Sequence, residues 1–228
     1  MYARGINDRA LIHGEDKFVQ VVSCNTHNIS VLIDTLALQD GQDNLKKGRF
    51  LCVRRSNDLS QDTSFIPSPE VGKHKDPVFG THHARDAYHL FKTMGLELDL
   101  FSSALKLNTQ YMHVIQYHLE LNKATDMESI LARINDNDLI AVTHKKTANS
   151  VFSFGRDHGF FGRILNQTVI PTETLAVIEG GKEVVGYCFT PQDGNSILSS
   201  IAATMWAMYP DTYEKRIQNL DEWYFDEV

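Results

Sequence analysis

The sequence predicts an α+β protein built as a two-layer sandwich, in which one mixed, largely antiparallel sheet carries helices on one face. Short apolar runs of strand length recur along the chain, amphipathic runs of helix length lie between them, and several strands follow each other closely. With 228 residues the chain is long enough to bury one sizeable core, so one domain is expected.

The strands follow from apolar runs and from alternation of apolar and polar residues. Residues 49–55 are apolar on both faces, which is typical of a strand at the centre of a sheet. A short turn around Asn108 and Thr109 joins two further strands, and Gly180–Gly181 turns a hairpin. The predicted strands are 18–23, 49–55, 99–107, 112–121 and 139–143, with the hairpin over 174–190.

The helices follow from apolar stripes of helical period and from end signals. Gly95 suits the position after a helix end, and Asp126 can cap a helix start. The helix 195–208 is apolar over most of its circumference, so the sheet or a second chain has to cover it, and a homo-oligomer is expected. The predicted helices are 28–38, 83–95, 126–135, 150–159 and 195–208.

The chain is predicted to consist of an N-terminal segment before the first strand (residues 1–17), a main domain (18–190) and a C-terminal helical extension that belongs to the same unit (191–228). The segment 56–83 holds three of the six prolines. A loop of this length is typical of a functional or interface loop.

Composition and charge exclude several classes of protein. Acidic residues outnumber basic ones by 29 to 22, and the net charge of −7 argues against a nucleic-acid binder. No apolar run approaches the roughly 20 residues of a membrane span, and the N-terminus lacks the apolar segment of a signal peptide, so the cytoplasm is the expected compartment. The three cysteines lack CxxC spacing, so no disulfide framework or metal site is predicted.

Cys24 lies between a predicted strand and a predicted helix. Free backbone N–H groups and the helix dipole favour negative charge at a helix start, which lowers the pKa of a thiol there. Cys24 is therefore a candidate nucleophile. The alternative is a small buried hydrophobic residue, the commonest role of free cysteines.

His113 is the best-placed base for that nucleophile. Alternation puts His113 on the more apolar face of the strand 112–121 together with Ile115 and Tyr117, whereas His118 lies on the more polar face. Partial burial would keep the ring of His113 neutral and able to accept a proton. A structural histidine is the alternative.

A group of basic residues indicates an anion site. Arg54 and Arg55 end an apolar strand, and only one of them can enter a given pocket because successive strand residues point to opposite faces. Guanidinium groups bind phosphate, and Thr26 at the helix start would add a hydroxyl and an amide. His82 and His83 open a helix after the long loop; a solvated helix start is their alternative. Together these residues predict a pocket for an anionic carbonyl compound beside a cysteine nucleophile.

Four segments in the same order and spacing resemble the archaeal type (type II) of glyceraldehyde-3-phosphate dehydrogenase, from about residue 18 to the end of the chain. The matches are VVSCNTHN with the family's VVSCNTT, FLCVRRSND with VRRGAD, IPSPEVGKHKDPVFGTHHARD with IP…SHHGPD, and YMHVIQYHLEL with LMHQHNVMVEV.

The resemblance implies the C-terminal domain of that enzyme, with Cys24 as nucleophile and His113 as the catalytic histidine. It implies a thiohemiacetal and a thioester on the cysteine, with hydride transfer to NAD or NADP and cleavage by phosphate. The residues that it places around substrate or inorganic phosphate are Asn25, Thr26, Arg54 or Arg55, His82 and His83.

The chain also departs from the family pattern. His27 replaces a threonine, Asn28 a glycine and Arg85 a proline, and the second histidine of HQHN is absent. No GxGxxG turn follows a strand, so no cofactor-binding residue is assigned and NAD or NADP is expected to be bound mainly by another chain. The segment MYARGIN is interpreted as a remnant of the last strand of the missing dinucleotide-binding domain.

Three functions are therefore compared. The first is the catalytic domain of a phosphorylating aldehyde dehydrogenase that acts on glyceraldehyde 3-phosphate or a similar phosphorylated aldehyde. The second is a cofactor-independent thiolate enzyme that hydrolyses an acyl phosphate or ester. The third is a non-catalytic oligomerising or regulatory homologue. The first is preferred because the nucleophile, base and anion-binding residues are present together.

Overall fold

An eight-stranded mixed sheet forms the centre of the structure, a computed structural model that describes residues 1–12, 15–39, 42–57, 63–158, 168–191 and 194–228. The strands are β1 (Leu38–Gln39), β2 (Gln42–Asp43), β3 (Leu45–Arg54), β4 (Glu70–Val71), β5 (Leu100–Lys106), β6 (His113–Leu121), β7 (Ile140–Thr143), β8 (Thr168–Pro171), β9 (Ala176–Ile178) and β10 (Glu183–Thr190). The helices are α1 (Cys24–Ala37), α2 (His82–Lys92), α3 (Met127–Asn135), α4 (Ala148–Asp157), α5 (Gly194–Met208) and α6 (Tyr213–Ile217). Short 3-10 helices span Asp8–Ala10, Thr172–Thr174, Glu179–Gly181 and Gln218–Trp223.

The strand order is β4-β5-β3-β6-β10-β8-β7, and β9 pairs with β10. The pairs β3–β5 and β7–β8 are parallel and the others are antiparallel, which confirms the predicted α+β fold with a mixed, largely antiparallel sheet. The strand predicted at 49–55 is β3, which lies inside the sheet as expected. It also separates β5 from β6, so the turn around Asn108 and Thr109 joins two strands that do not pair.

The main core lies between one face of the sheet and helices α1, α2 and α3. Along β6 the buried and half-buried residues alternate without interruption, as the sequence predicts. Ile115, Tyr117 and Leu119 are completely buried, and they pack in one cluster with Ile29 and Leu32 of α1. Because strand side chains alternate between faces, the odd-numbered residues of β6 define the helix-covered face.

A smaller cluster lies on the opposite face of the sheet, where Val114 of β6 pairs with Phe189 of β10. Val151 and Phe152 of α4 pack into this cluster, so α4 lies on the face of the sheet that the predicted two-layer sandwich leaves without helices. The last residue of the predicted helix 150–159, Gly159, lies outside the described residues, as do residues 58–62 of the predicted loop 56–83.

The strand predicted at 18–23 is wrong. Only Val21 makes a bridge there, a parallel one with Tyr2, and Phe18 is 95% exposed. The run is extended because Tyr2 N–H donates to the Gln20 carbonyl and Val22 N–H donates to the Tyr2 carbonyl. The extended run therefore pairs with the N-terminal segment rather than with the sheet.

Helix α1 begins at Cys24, earlier than the predicted start at residue 28. The side chain of Ser23 caps the helix by accepting from Thr26 N–H. A serine at this position satisfies one of the free N–H groups of the first turn, so the helix can start there. Cys24 is consequently the first helical residue.

Helix α5 is covered on three sides by other parts of the same chain. Leu198 belongs to the main core, and Ala202 packs with Tyr2 of the N-terminal segment and Ile217 of α6. Ile197 and Met208 are exposed at 40% and 60%, and Ser200 and Thr204 are exposed between them, so the described residues leave a strip of mixed polarity uncovered. None of the helices in the described ranges is long and apolar enough to cross a membrane.

Candidate active site

A row of polar residues crosses one end of the helix-covered face of the sheet. Thr190 of β10 pairs with His113 of β6, and Arg54 of β3 pairs with Lys106 of β5, which pairs with Glu70 of β4. Arg54 lies one position beyond the last β3–β6 pair and is therefore next to His113. Paired residues on neighbouring strands point to the same side, so these five side chains share the face that carries the core.

The start of α1 lies over this row. Nδ1 of His113 is 3.1 Å from Oδ1 of Asn25, the residue that follows Cys24. Both residues are buried, at 8% and 1% exposure. An amide oxygen only accepts hydrogen bonds, so Nδ1 carries the proton and Nε2 keeps its lone pair in the neutral ring.

The charge state of His113 follows from its surroundings. Burial, together with the neighbouring guanidinium groups of Arg55 and Arg54, lowers the pKa of its imidazole to about 3. The ring is therefore neutral at pH 7 and can accept a proton only transiently.

Cys24 differs from the other two cysteines in its exposure. Cys24 is partly exposed, whereas Cys52 and Cys188 are buried below it in the sheet. Burial raises the pKa of Cys52 to about 12 and also raises the pKa of Cys188. Buried thiols with a raised pKa are not expected to react at neutral pH. Cys24 is the cysteine that a reagent in solution can reach.

The first turn of α1 is held in place from the opposite side by α5. Nδ2 of Asn195 donates to the Cys24 carbonyl at 3.2 Å and to Oδ1 of Asn28 at 2.7 Å. His27, fully buried, has its Nε2 3.0 Å from the Arg4 carbonyl, so the N-terminal segment is tied to the same turn. Sequence reasoning missed Asn195 because its partner lies 171 residues away.

The start of α2 reaches the same end of the sheet. Its first turn is fixed on β5, because the Oγ of Ser102 accepts from Ala84 N–H at 3.1 Å and lies 2.6 Å from the Thr81 hydroxyl. The rings of His82 and His83 lie 3.9 Å apart. His83 is 4% exposed, and neither of its ring nitrogens has a hydrogen-bond partner among the described residues.

Burial is also the main cause of the pKa shifts of these two histidines. It lowers the pKa of His83 to about 2, helped by His82, Arg54 and His113. The pKa of His82 is lowered as well, again mainly by burial. Two buried neutral rings, His83 and His113, therefore adjoin Arg54.

A cleft of about 420 Å³ opens between α2, β5 and the loop that follows β4. Arg54 lines this cleft, and its Nε is buried without a hydrogen-bond partner in the described part of the chain. Arg55 is 7% exposed and does not line it, as expected for successive strand residues. The charged and histidine side chains that line the cleft are Arg54, Glu70, Lys73, Lys75, Asp76, His82, His83, Arg85 and Lys106.

Six of the eight predicted site residues fall into two groups. Cys24, Asn25 and His113 lie together at the start of α1, and Arg54, His82 and His83 line the adjoining cleft. Thr26 is completely buried, and its hydroxyl lies 3.0 Å from the Ser23 hydroxyl within the helix cap. Within the described ranges no group of histidine, cysteine and acidic residues has the arrangement of a metal site.

Comparison with curated proteins adds an independent observation. A glyceraldehyde-3-phosphate dehydrogenase of Methanococcoides burtonii is 30% identical over 181 residues, covering 76% of this chain and 49% of the relative. Enzymes of the same name from Archaeoglobus fulgidus and Methanobrevibacter smithii are 30% and 27% identical over 126 and 135 residues. The chain is homologous to archaeal glyceraldehyde-3-phosphate dehydrogenases. This confirms the resemblance inferred from the four sequence segments.

The homology to archaeal glyceraldehyde-3-phosphate dehydrogenases is partial. The matches cover 54–76% of this chain and 34–49% of these relatives, so the chain spans about half or less of their length. This coverage is consistent with a partial, catalytic-domain-like chain. No family model matches the chain.

Proposed function

We propose that this chain is the catalytic domain of a phosphorylating aldehyde dehydrogenase that acts on glyceraldehyde 3-phosphate or a similar phosphorylated aldehyde in the cytoplasm. The observation that carries the proposal is the hydrogen bond of His113 to Asn25, because it holds a neutral imidazole beside the first residue of α1, Cys24. Homology to enzymes of that name supports the same conclusion.

Cys24 is the proposed nucleophile. Free N–H groups at the start of α1 stabilise a thiolate, and Nε2 of His113 takes the thiol proton as the sulfur attacks the carbonyl carbon. The carbonyl oxygen then takes that proton back, which gives a thiohemiacetal and restores the neutral ring. The pKa of His113, about 3 in the unliganded chain, keeps the ring neutral and leaves the lone pair of Nε2 free at neutral pH.

The anion-binding residues orient the substrate. Arg54, His82 and His83 line the cleft beside His113, and two helix starts, those of α1 and α2, lie over the same end of the sheet. A phosphate group in the cleft would be bound by the Arg54 guanidinium and by N–H groups at the start of α2. It would leave the aldehyde end of the substrate near Cys24.

The described residues do not fit a dinucleotide site. The parallel crossover from β3 through α2 to β5 has no glycine-rich turn after its first strand, where the chain continues as Arg55, Ser56 and Asn57. NAD or NADP would supply the hydride acceptor for oxidation to the thioester. We propose that NAD or NADP is bound mainly outside the described residues, and that a partner chain or a second copy covers the exposed strip of α5.

The second candidate is a thiolate enzyme that hydrolyses acyl phosphates or esters. It is supported by the same grouping of nucleophile, base and anion cleft, because a thiolate needs no cofactor once an activated acyl donor is present. Such an enzyme would share the first steps and would use water to cleave the acyl group from Cys24.

Both candidate functions begin with attack of Cys24 on a carbonyl or acyl carbon. Acylation of Cys24 by acetyl phosphate tests this shared step. The thiolate attacks the acetyl carbon and phosphate leaves, so intact-mass analysis should find one hydroxylamine-sensitive acetyl group per chain. Cys24→Ser should abolish this thioester, and Cys52→Ala should retain it. If the wild-type chain neither gains an acetyl group nor releases acetate from acetyl phosphate, both candidates are wrong.

Thermal unfolding separates the candidates. With its native partner chain, the dehydrogenase should unfold at higher temperature when NAD or NADP is added, because a ligand stabilises the state that binds it. If acetyl phosphate acylates Cys24 but neither dinucleotide raises the melting temperature of the natively purified protein, the hydrolase is the better assignment.

A further inference from the structure

Buried hydroxyl groups lie beside His113 on the side away from the anion cleft. Thr190 of β10 pairs with His113, and the register of β8 on β10 sets Thr168 next to Thr190. Both threonines are completely buried, and neither hydroxyl has a hydrogen-bond partner in the described part of the chain. The Cys188 thiol, which Thr190 approaches, is only a weak acceptor. Because buried polar groups are normally paired with protein or water, these hydroxyls indicate a place for a small polar molecule.

Asn195 at the start of α5 presents a buried acceptor near the same place. Its Nδ2 donates to the Cys24 carbonyl at 3.2 Å and to Oδ1 of Asn28 at 2.7 Å. A carbonyl oxygen only accepts, so Nδ2 has to face Cys24, and Oδ1 points to the other side of the amide group. This Oδ1 is buried and has no hydrogen-bond partner among the described residues.

The first turn of α1 connects these groups. The side chain of Asn25 contacts His113, and the carbonyl of Cys24 contacts Asn195. Thr190 lies next to His113 in the sheet and shortly before Asn195 in the chain. The Thr190 hydroxyl, Oδ1 of Asn195 and Nε2 of His113 therefore lie around the end of α1 that carries the reactive thiol.

The donors and acceptors of this group fit water better than phosphate. Nε2 of the neutral His113 ring and Oδ1 of Asn195 accept, and the Thr190 hydroxyl can donate, so one water can satisfy all three and keep a lone pair free. About three polar partners are typical of a buried water. A phosphate dianion would be repelled by the two lone pairs, whereas the cleft on the other side of His113 offers it the Arg54 guanidinium.

We propose that Thr190 and Asn195 hold a water that hydrolyses the acyl group on Cys24. This inference rests on the proposed function, because it needs the acyl intermediate that both candidate functions share. The water oxygen attacks the acyl carbon while Nε2 of His113 takes one of its protons. The bond from that carbon to Sγ then breaks, the sulfur takes the proton from the ring, and a carboxylic acid leaves.

The acyl group on Cys24 can consequently leave by two routes. Phosphate in the cleft returns an acyl phosphate, and the water beside Thr190 releases a free acid. The Thr190 hydroxyl therefore determines how much of the activated acyl group is lost to hydrolysis.

Turnover of acetyl phosphate by the full chain measures the two routes separately. Acetate release reports attack by water, transfer of isotopically labelled phosphate into acetyl phosphate reports attack by phosphate, and intact mass gives the acetylated fraction of Cys24. Thr190→Val keeps the shape of the side chain and removes the hydroxyl, so it should lower the ratio of acetate release to phosphate transfer about tenfold. It should also raise the acetylated fraction, because water removes the acyl group more slowly.

Three further variants are compared with Thr190→Val. Thr190→Ser retains the hydroxyl and should return the ratio to within about twofold of the wild-type value. Thr168→Val is the matched control, because it removes an equally buried hydroxyl one strand further from His113; it should change the ratio by less than about twofold. Arg54→Ala should raise the ratio, since it weakens the phosphate site on the other side of the ring.

An unchanged ratio in Thr190→Val or in Arg54→Ala, or an equal fall in Thr168→Val, would overturn the inference. A lower acetylated fraction in Thr190→Val would overturn it as well, because that result marks damage to the whole site. A chain that is acetylated and gives one of these results keeps the proposed function and loses only the water position. A chain that is neither acetylated nor releases acetate loses both.

Discussion

Nδ1 of His113, at the start of strand β6, lies 3.1 Å from Oδ1 of Asn25, in the first turn of helix α1. This contact joins two segments that are 88 residues apart and fixes which ring nitrogen carries the proton. It places the end of the sheet next to the helix start that carries Cys24.

Cys24 should react with iodoacetamide faster at pH 6 to 7 than a model thiol does, because the helix start favours the thiolate. Peptide mapping after timed labelling measures the rate at each cysteine. Cys52 and Cys188 are internal controls and should stay unlabelled in the folded chain because they are buried. A rate at Cys24 equal to that of a model thiol would remove the nucleophile.

Asn25→Ala should slow acetylation of Cys24 by about 10- to 100-fold, since the imidazole loses the acceptor that fixes its tautomer. Asn25→Asp should instead raise the pKa of His113, because a carboxylate stabilises the imidazolium. The pH dependence of the acetylation rate and the ring resonances of His113 measure these effects. Identical pH profiles for wild type and Asn25→Asp would contradict the assigned contact.

Buried neutral histidines should make the fold sensitive to acid. The pKa values of His27, His83 and His113 are lowered by burial to about 4, 2 and 3, from about 6.5 in the unfolded chain. Below pH 6.5 the unfolded chain binds protons that the folded chain does not, so stability present at neutral pH is lost as pH falls towards the folded-state values. Each histidine contributes up to about 1.4 kcal/mol per pH unit.

Urea unfolding between pH 7 and pH 4 measures this loss. His83→Gln should reduce the slope of unfolding free energy against pH, since one buried histidine is removed. His89→Gln, on the exposed side of α2, is the matched control and should leave the slope unchanged. A slope that His83→Gln does not alter would mean that this ring is protonated in the folded chain.

His27→Thr should lower the free energy of unfolding by about 1–3 kcal/mol, because the Arg4 carbonyl loses a buried donor. His89→Thr makes the same change at an exposed helical position and should cost less than about 1 kcal/mol. Urea unfolding at pH 7.5 compares the two variants. Equal destabilisation would show that His27 does not hold the N-terminal segment on α1.

Arg54→Met should abolish the rise in melting temperature that phosphate gives the wild-type chain, since the Arg54 guanidinium is the main anion contact. The same change should leave the unliganded fold as stable or slightly more stable, because it removes one of two like charges on neighbouring strands. Differential scanning fluorimetry with and without phosphate gives both readouts. Arg49→Met, on the opposite face of β3, is the control.

The sequence predicts the interior of this fold better than its edges. The alternation along β6 and the central position of β3 are readable because burial on one or both faces leaves a periodic pattern. The run 18–23 has the composition of a strand, yet it pairs only with Tyr2, and composition does not say which segment a strand joins. Ser23 was the missed signal for the earlier start of α1.

The residues of the site also fall into those that the sequence reveals and those that only the structure reveals. Cys24, His113 and Arg54 were found from local patterns and from resemblance, because each carries a chemical group in a suggestive segment. Lys106 was not, since only the strand register sets it beside Arg54. Asn195 was missed as well, because a contact over 171 residues leaves no local trace in the chain.

The loop that follows β4 has a consequence for how copies of the chain can meet. With β4 it occupies the hydrogen-bonding groups on one border of the sheet, and residues 226–228 occupy those of β7 on the other, through Val142. Along these stretches a foreign strand cannot pair with β5 or β7 themselves. A foreign strand would have to pair with the outer side of the covering segments, such as β4, so any extension of the sheet would run through those short segments.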